Sequence, residues 1–97
     1  MRFEWGEEKN RGNFAKHKVS FDTAMSVFDD EQALSIVDRV VDGEERWQTL
    51  ETVSGIVLIV AHTYRDEDRQ DVIRLISARK ATLSERRAYA KNQQRPS

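Results

Sequence analysis

Ninety-seven residues, 34% of them charged, with no cysteine and a formal net charge of −1, exclude several classes of protein at once. A chain this short is expected to form one domain, residues 1–97, with a modest core and little room for a cofactor cavity. Disulfides and thiolate metal sites are out of the question. The start MRFEWGEEKN lacks the apolar core of a signal peptide, and no run approaches the roughly 18 apolar residues of a membrane span. A soluble, cytoplasmic protein with no membrane contact is expected.

The near-neutral charge hides a polarity. Between Ser20 and Glu51 nine acids (Asp22, Asp29, Asp30, Glu31, Asp38, Asp42, Glu44, Glu45 and Glu51) face two bases (Arg39 and Arg46), a local balance of −7. From Arg74 to Ser97 seven bases face Glu85 alone, a balance of +6. A basic C-terminal quarter can attract a polyanion locally, or it can be a solvated helix surface balanced by acids elsewhere in the fold.

Along the chain, Arg2 to Trp5 reads as a short strand and Glu7 to His17 as a helix, with Phe14 as its main apolar anchor and Gly12 as a weak point. His17, at the helix end, suits a capping cation. Val19 to Asp30 reads as a second helix: Ser20 is its N-cap, and Phe21, Ala24, Met25 and Phe28 form a stripe at i, i+3, i+4, i+7. Ala33 to Asp38 is a strand, Asp42-Gly43 a turn, Arg46 to Val53 a strand and Ser54-Gly55 a turn. Ile56 to Tyr64 is apolar almost throughout, as a central strand covered on both faces would be. Asp66 to Asp71 is expected to be a polar loop, and Val72 to Arg79 the last strand. Thr82 and Glu85 fit a capping box that starts a helix from Leu83 to about Asn92, and the tail QQRPS is expected to fray. The order β-α-α-β-β-β-β-α defines an α+β fold, an antiparallel sheet with two N-terminal helices and one C-terminal helix packed largely on one face.

Cations in sheet elements are the chemically informative feature, because burying a guanidinium is costly unless an anion answers it. Strand alternation puts Ile73, Leu75, Ser77 and Arg79 on one face and Val72, Arg74, Ile76 and Ala78 on the other. An ideal strand therefore cannot send Arg74 and Arg79 to one site; a bulge or the strand end is needed. Arg79, where the strand gives out, is the freer to meet a ligand, and Arg74 suits pairing or packing. His62 and Arg65 lie at the far end of the preceding strand, so a site that holds them with Arg79 has to span the sheet. His62 reads either as a hydrogen-bonded structural residue or as a proton-transfer group. Tyr89, four residues after Glu85, shares its helix face and either fills the helix–sheet interface, stacks on a base or acts in proton transfer. No phosphate loop, dinucleotide fingerprint, zincin motif or nucleophile elbow occurs, and no convincing set of metal-binding carboxylates either. RNA cleavage remains open to such a chain. The substrate's 2′-hydroxyl is the nucleophile, and Arg, Lys, His, Glu and Tyr can supply proton transfer and charge stabilisation without a metal or other cofactor.

WGEEKNRGNFAKHKVSFDTAMSVFDD, Trp5 to Asp30, closely resembles the opening of BrnT-type toxins, which read W-x-x-x-K-N-x-x-N-x-x-K-H-x-V-S-F-x-x-A and then F-x-D. IRLISARKATLSERRAY, Ile73 to Tyr89, is similar to their closing signature, and HTYR at His62 to Arg65 fits the middle. Lys18 stands at a position the pattern leaves open, where Gly is usual in the family opening. The resemblance implies a RelE-like toxin of a type II toxin–antitoxin module. Such a toxin is a metal-independent ribonuclease that cleaves mRNA and inhibits translation. It is neutralised by a cognate antitoxin with a ribbon-helix-helix DNA-binding part, through which alone it reaches operator DNA. By motif match the catalytic candidates are His62, Arg65, Arg79 and Lys80, the arginines on phosphate and His62 or Lys80 on protons. Arg74, Glu85 and Tyr89 are secondary. Two other readings stand beside the enzyme. One is a non-catalytic subunit that binds the antitoxin and tunes its grip on DNA. The other is a general RNA-binding domain, disfavoured because no strand carries the paired aromatics that stack bases.

Overall fold

Three two-residue turns dictate most of the architecture. Asp42-Gly43, Ser54-Gly55 and Asp68-Arg69 each place both central residues at positive φ (50° and 79°, 51° and 81°, 52° and 66°). This is the type I′ geometry, whose twist matches that of paired strands. In the computed structural model of the chain, which describes residues 1–93, these turns join β2 (Leu34–Val41), β3 (Glu44–Val53), β4 (Ile56–Glu67) and β5 (Gln70–Lys80) into an antiparallel meander. Before it come β1 (Arg2–Glu4), α1 (Glu7–His17), α2 (Phe21–Met25) and a 3-10 turn over Ser26–Asp29; after it comes α3 (Leu83–Gln93). The expected fraying of the tail concerns residues 94–97, outside the described residues.

The α+β class and the element order agree with the sequence reading, and two details are corrected. The sheet is mixed, not purely antiparallel: its order is β1-β5-β4-β3-β2, and β1 lies parallel to β5 with Phe3 opposite Ile73. Parallel pairing needs a long crossover, and the helices and three strands between β1 and β5 supply it. Nor do the helices share one face. Leu58 and Val60 of β4 join the larger core with Phe21, Ala24, Val27, Ile73 and Leu75. The alternate residue Ile59 packs with Leu50 and Tyr89 of α3. Strand alternation therefore gives the sheet an α1 face and an α3 face. The expected loop at Asp66–Asp71 is instead a continuous hairpin, Arg65 pairing with Val72 and Glu67 with Gln70 around the turn at Asp68-Arg69.

The helix α1 is anchored by a residue that the apolar pattern overlooks. Phe14 is 52% exposed, whereas Asn13 is buried. β1 covers β5 only at Val72, Ile73 and Arg74. Beyond that point the Asn13 side chain takes the place of a neighbouring strand. Its Nδ2 donates to the carbonyls of Ala78 and Val19, each at 2.8 Å, and its Oδ1 accepts from the Ala78 N–H at 3.1 Å. Asn10 Oδ1 accepts from the Phe21 N–H at 2.8 Å, which fixes the entry of α2. Ser20 caps α2 as its side chain suggests. The helix then tightens at Ser26, whose hydroxyl donates back to the Thr23 carbonyl at 2.7 Å. That tightening brings Val27 fully into the core.

Lys18, where Gly is usual in the family opening, ends α1 in the left-handed region at φ 61°. A side chain there costs about 1 kcal/mol relative to Gly. Its Nζ lies 6.0 Å from the Phe14 ring centroid, an exposed contact worth about 0.5 kcal/mol. Lys18→Gly is expected to stabilise the fold by about 0.5 kcal/mol, raising Tm by roughly 2–4 °C in a thermal melt.

Candidate functional site

One bulge decides which cations share a surface. Ala61 pairs with Ser77 and His62 with Leu75, leaving Ile76 as the extra residue. An inserted residue reverses the alternation of everything after it. Ile73, Leu75 and Ala78 consequently all face the α1 side, where they share one core cluster. Arg74, Ser77 and Arg79 consequently share the α3 face, opposite Thr63, Ala61 and Ile59 of β4. The four-residue span of β4 between those last partners sets Arg74 and Arg79 about 13 Å apart along the sheet.

The helix α3 covers only one end of this face, through Tyr89 against Leu50 and Ile59 with Leu34, Val57 and Ala81 around it. The rest is a floor of half-buried small or polar residues, Gln48, Ala61 and Ser77. A cavity of about 270 Å³ lies on it, lined in part by Arg39, Arg46, Ala61 and Ser77. Arg39 pairs with Arg46 across β2 and β3, so four arginines rim the floor. They are not equally occupied. Arg79 is held bidentate by Glu85, at 2.8 and 2.9 Å. Arg39 reaches Asp38 at 3.0 Å, and Arg46 lies 3.7 Å from Glu44. Exposed Arg74 makes no ion pair among the described residues. Two buried atoms on this face, Arg46 Nε and Thr63 Oγ1, have no hydrogen-bond partner among the described residues.

The Arg79 end is built by the start of α3. Thr82 Oγ1 accepts from the Glu85 N–H at 3.2 Å, and Glu85 Oε1 accepts from the Thr82 N–H at 2.8 Å, the capping box expected from the sequence. Glu85 is thus shared between the helix cap and Arg79. The guanidinium first, and then the Thr82 N–H, lower its carboxyl pKa to about 2. One helix turn on, the buried Tyr89 hydroxyl donates to Glu51 Oε1 at 2.9 Å. Burial, followed by this bond to a carboxylate, raises the phenol pKa. Arg79 and Glu85 can present a fixed cation and a permanently charged carboxylate, and Tyr89 holds its proton. Among the described residues no three His, Asp or Glu side chains gather as a metal site requires.

The other sequence candidates lie elsewhere. Lys80 is exposed and, by alternation, belongs to the α1 side, opposite Leu58. Arg65 sits on the α3 face at the far end of β4. There Glu4 holds it through both carboxylate oxygens at 3.0 Å, and Glu67 accepts from it at 2.9 Å. The structure does not bring Arg65, His62 and Arg79 together. His62 is buried on the α1 face, its ring edge-on to Phe28 with centroids 4.9 Å apart. Its Nε2 meets Thr49 Oγ1 at 2.8 Å, which in turn meets Ser35 Oγ at 2.7 Å.

Burial lowers the His62 pKa below 6.5. Because the folded value lies below the unfolded one, the native state resists protonation. The stability tied to neutral His62 is complete above pH 6.5 and is lost as pH falls through the folded value. Urea midpoints are expected to drop from pH 7.5 to pH 5 in the wild type, and less in His62→Gln.

The sequence reading missed Arg39, Arg46 and Ser77. The only available signal was the parity conflict between Arg74 and Arg79, which the bulge at Ile76 resolves. A helix-backed sheet face with a small-residue floor and a rim of arginines belongs to an α+β domain suited to handling a polyanion. The chain is a member of the BrnT family: the family model described as the ribonuclease toxin, BrnT, of type II toxin–antitoxin systems matches residues 5–85. No curated protein matches the chain. Among the described residues no helix is long and apolar enough to cross a membrane.

Proposed function

We propose that this toxin is a metal-independent endoribonuclease of RelE-like architecture that cleaves mRNA on the α3 face of its sheet. In this reading a cognate antitoxin with a ribbon-helix-helix DNA-binding part neutralises it and brings the pair to operator DNA. The observation that carries the reading is the bulge at Ile76, which puts Arg74 and Arg79 on one face around the Ala61–Ser77 floor. Arg79 stabilises the charge that develops on the phosphorane as the 2′-hydroxyl attacks, which is where a preorganised cation contributes most. Arg74, Arg39 and Arg46 hold flanking phosphates. Proton transfer is assigned to Lys80, whose long side chain reaches round the strand end from the α1 side, while Glu85 positions the Arg79 guanidinium and Tyr89 steadies that end through Glu51. His62 and Arg65 remain the alternative proton and phosphate groups from the family motif, although burial and two carboxylates already occupy them.

The competing reading is a non-catalytic subunit, and the bidentate Arg79–Glu85 pair favours it, since a guanidinium answered within the chain needs no phosphate. Incubating the free protein with a defined RNA in EDTA, with and without ribosomes, separates the two. Products ending in 2′,3′-cyclic phosphate, absent with Arg79→Ala, are expected. No cleavage under either condition would transfer the assignment to the non-catalytic subunit. Arg74→Ala is expected to weaken RNA binding uniformly across sequences. It should also lower the magnitude of the salt slope, d log K/d log[salt], by about 0.7, the share of one phosphate contact on a single strand.

A further inference from the structure

The sheet is open at β2. Among the described residues that strand pairs only with β3, and no other backbone hydrogen bond covers its outer side. An edge so placed is a template for another strand; Asp38, Arg39 and a bulge interrupt this one, but it is neither short nor blocked by proline or lysine. It runs for eight residues, LSIVDRVV. Val37 is 48% exposed and Val40 is 62% exposed. A second bulge, at Asp38, lies between them, so that both point to the α1 side, the face opposite the arginine rim. Val37 lies opposite Trp47 of β3, and Trp47 and Ser35 line a cavity of about 300 Å³ together with Phe28, His62, Tyr64 and Ile73. Apolar edge residues therefore continue into an aromatic cavity.

The charge around the edge identifies the occupant. Asp29, Asp30 and Glu31 precede β2, and Asp42 and Glu45 follow it. None of the five has an ion-pair partner among the described residues. Acidic ends flanking Val37 and Val40 repel RNA from the α1 side of the edge, whereas Arg39 faces the other side. They equally repel a second copy of this chain, which would bring the same acids to the same edge.

We infer that an extended segment of the antitoxin, apolar at its centre and carrying Lys or Arg at its ends, adds as a sixth strand along β2. One of its apolar side chains enters the cavity between Phe28, Trp47 and Tyr64. Main-chain pairing supplies affinity in this mode and alternate side-chain pockets supply specificity. An added strand also carries its other side chains onto the α3 face beside Arg39 and Arg46, which gives the antitoxin a route to the RNA surface from the edge. The inference rests on the antitoxin partner of the proposed function. It does not depend on which residues cleave RNA.

The test uses the full chain with the full antitoxin encoded alongside it. In the complex, the β2 amides from Leu34 to Val41 are expected to exchange with deuterium at least tenfold more slowly than in the free chain. Val37→Lys with Val40→Lys, both exposed and away from the arginine rim, is expected to weaken the complex at least 100-fold. RNA cleavage by the free variant should equal that of the wild type, and complex formation by the wild type should weaken as salt rises. Unchanged β2 exchange, or full affinity in the double variant, would overturn the docking while leaving the ribonuclease reading intact. A complex between copies of this chain that protects β2 would overturn it in favour of self-association. Absence of any complex with the antitoxin would overturn the docking and the partner reading together.

Discussion

Asn13→Ala is expected to cost about 3–5 kcal/mol, the largest stability effect of any single substitution considered for this chain. The side chain answers three backbone groups, the N–H and C=O of Ala78 and the carbonyl of Val19, at 3.1, 2.8 and 2.8 Å. Alanine would leave all three in a buried setting without partners, and each such group carries a penalty of about 1–3 kcal/mol. Partial access of water in the mutant keeps the total below the sum. A domain of this size has about 5–15 kcal/mol in all, so the variant should lose a large fraction of its stability, with Tm lower by roughly 12–40 °C. Asn13→Asp is the sharper probe. It retains the acceptor for the Ala78 N–H but sets a carboxylate against two carbonyls that need donors. It should be no more stable than the alanine variant at neutral pH, and should recover as the carboxyl protonates. Thermal melts at pH 7 and pH 4 read both effects. If Asn13→Ala melted within a few degrees of the wild type, the Asn13 side chain would not be closing the β5 edge.

That residue also shows where the sequence was legible. Elements whose signal is local could be read directly: the Thr82–Glu85 capping box, the Ser20 cap, the Asp42-Gly43 and Ser54-Gly55 turns and the bounds of α1 all follow from neighbours a few positions apart. The Asp68-Arg69 turn could not be read, because neither residue advertises positive φ as glycine does; only the pairing of Arg65 with Val72 shows it. Asn13 was passed over for Phe14 because hydrophobic periodicity assigns burial to apolar side chains, whereas this position is buried to serve a strand edge 65 residues away. The candidate site failed in the same way. Alternation set Arg74 and Arg79 on opposite faces, which the bulge at Ile76 overturns, but it named the device needed to unite them. Whether a bulge existed depended on register with β4, which no property of LISARK encodes alone. His62 and Arg65 show the converse: a motif places them in sequence, but only the fold shows that Thr49, Glu4 and Glu67 already engage them.

Arg79→Ala is expected to reduce RNA cleavage roughly 100- to 1,000-fold, the usual cost of removing one preorganised group that stabilises transition-state charge. The fold should survive the change, since the Arg79–Glu85 pair is about one-third exposed and such a pair is worth at most about 1 kcal/mol. Circular dichroism and retained antitoxin binding check that point. Glu85→Gln then separates catalysis from architecture. Glutamine can still accept from the Thr82 N–H, so the helix start persists, while Arg79 loses its competing anion. RNA binding should tighten, and cleavage should stay within about tenfold of the wild type. The pH profile gives a second reading. With its pKa near 2, Glu85 remains ionised throughout the range from pH 5 to 8, so any acid limb of activity there belongs to another group. The stability of the pair has the matching sign: it is present above the ordinary carboxylate value of 4.5 and is lost as pH falls toward about 2. If Glu85→Gln abolished cleavage as completely as Arg79→Ala while still binding RNA, Glu85 would be the proton-transfer group and Arg79 its positioning partner. If neither substitution changed cleavage, the reaction would lie outside the Arg79–Glu85 end of the sheet.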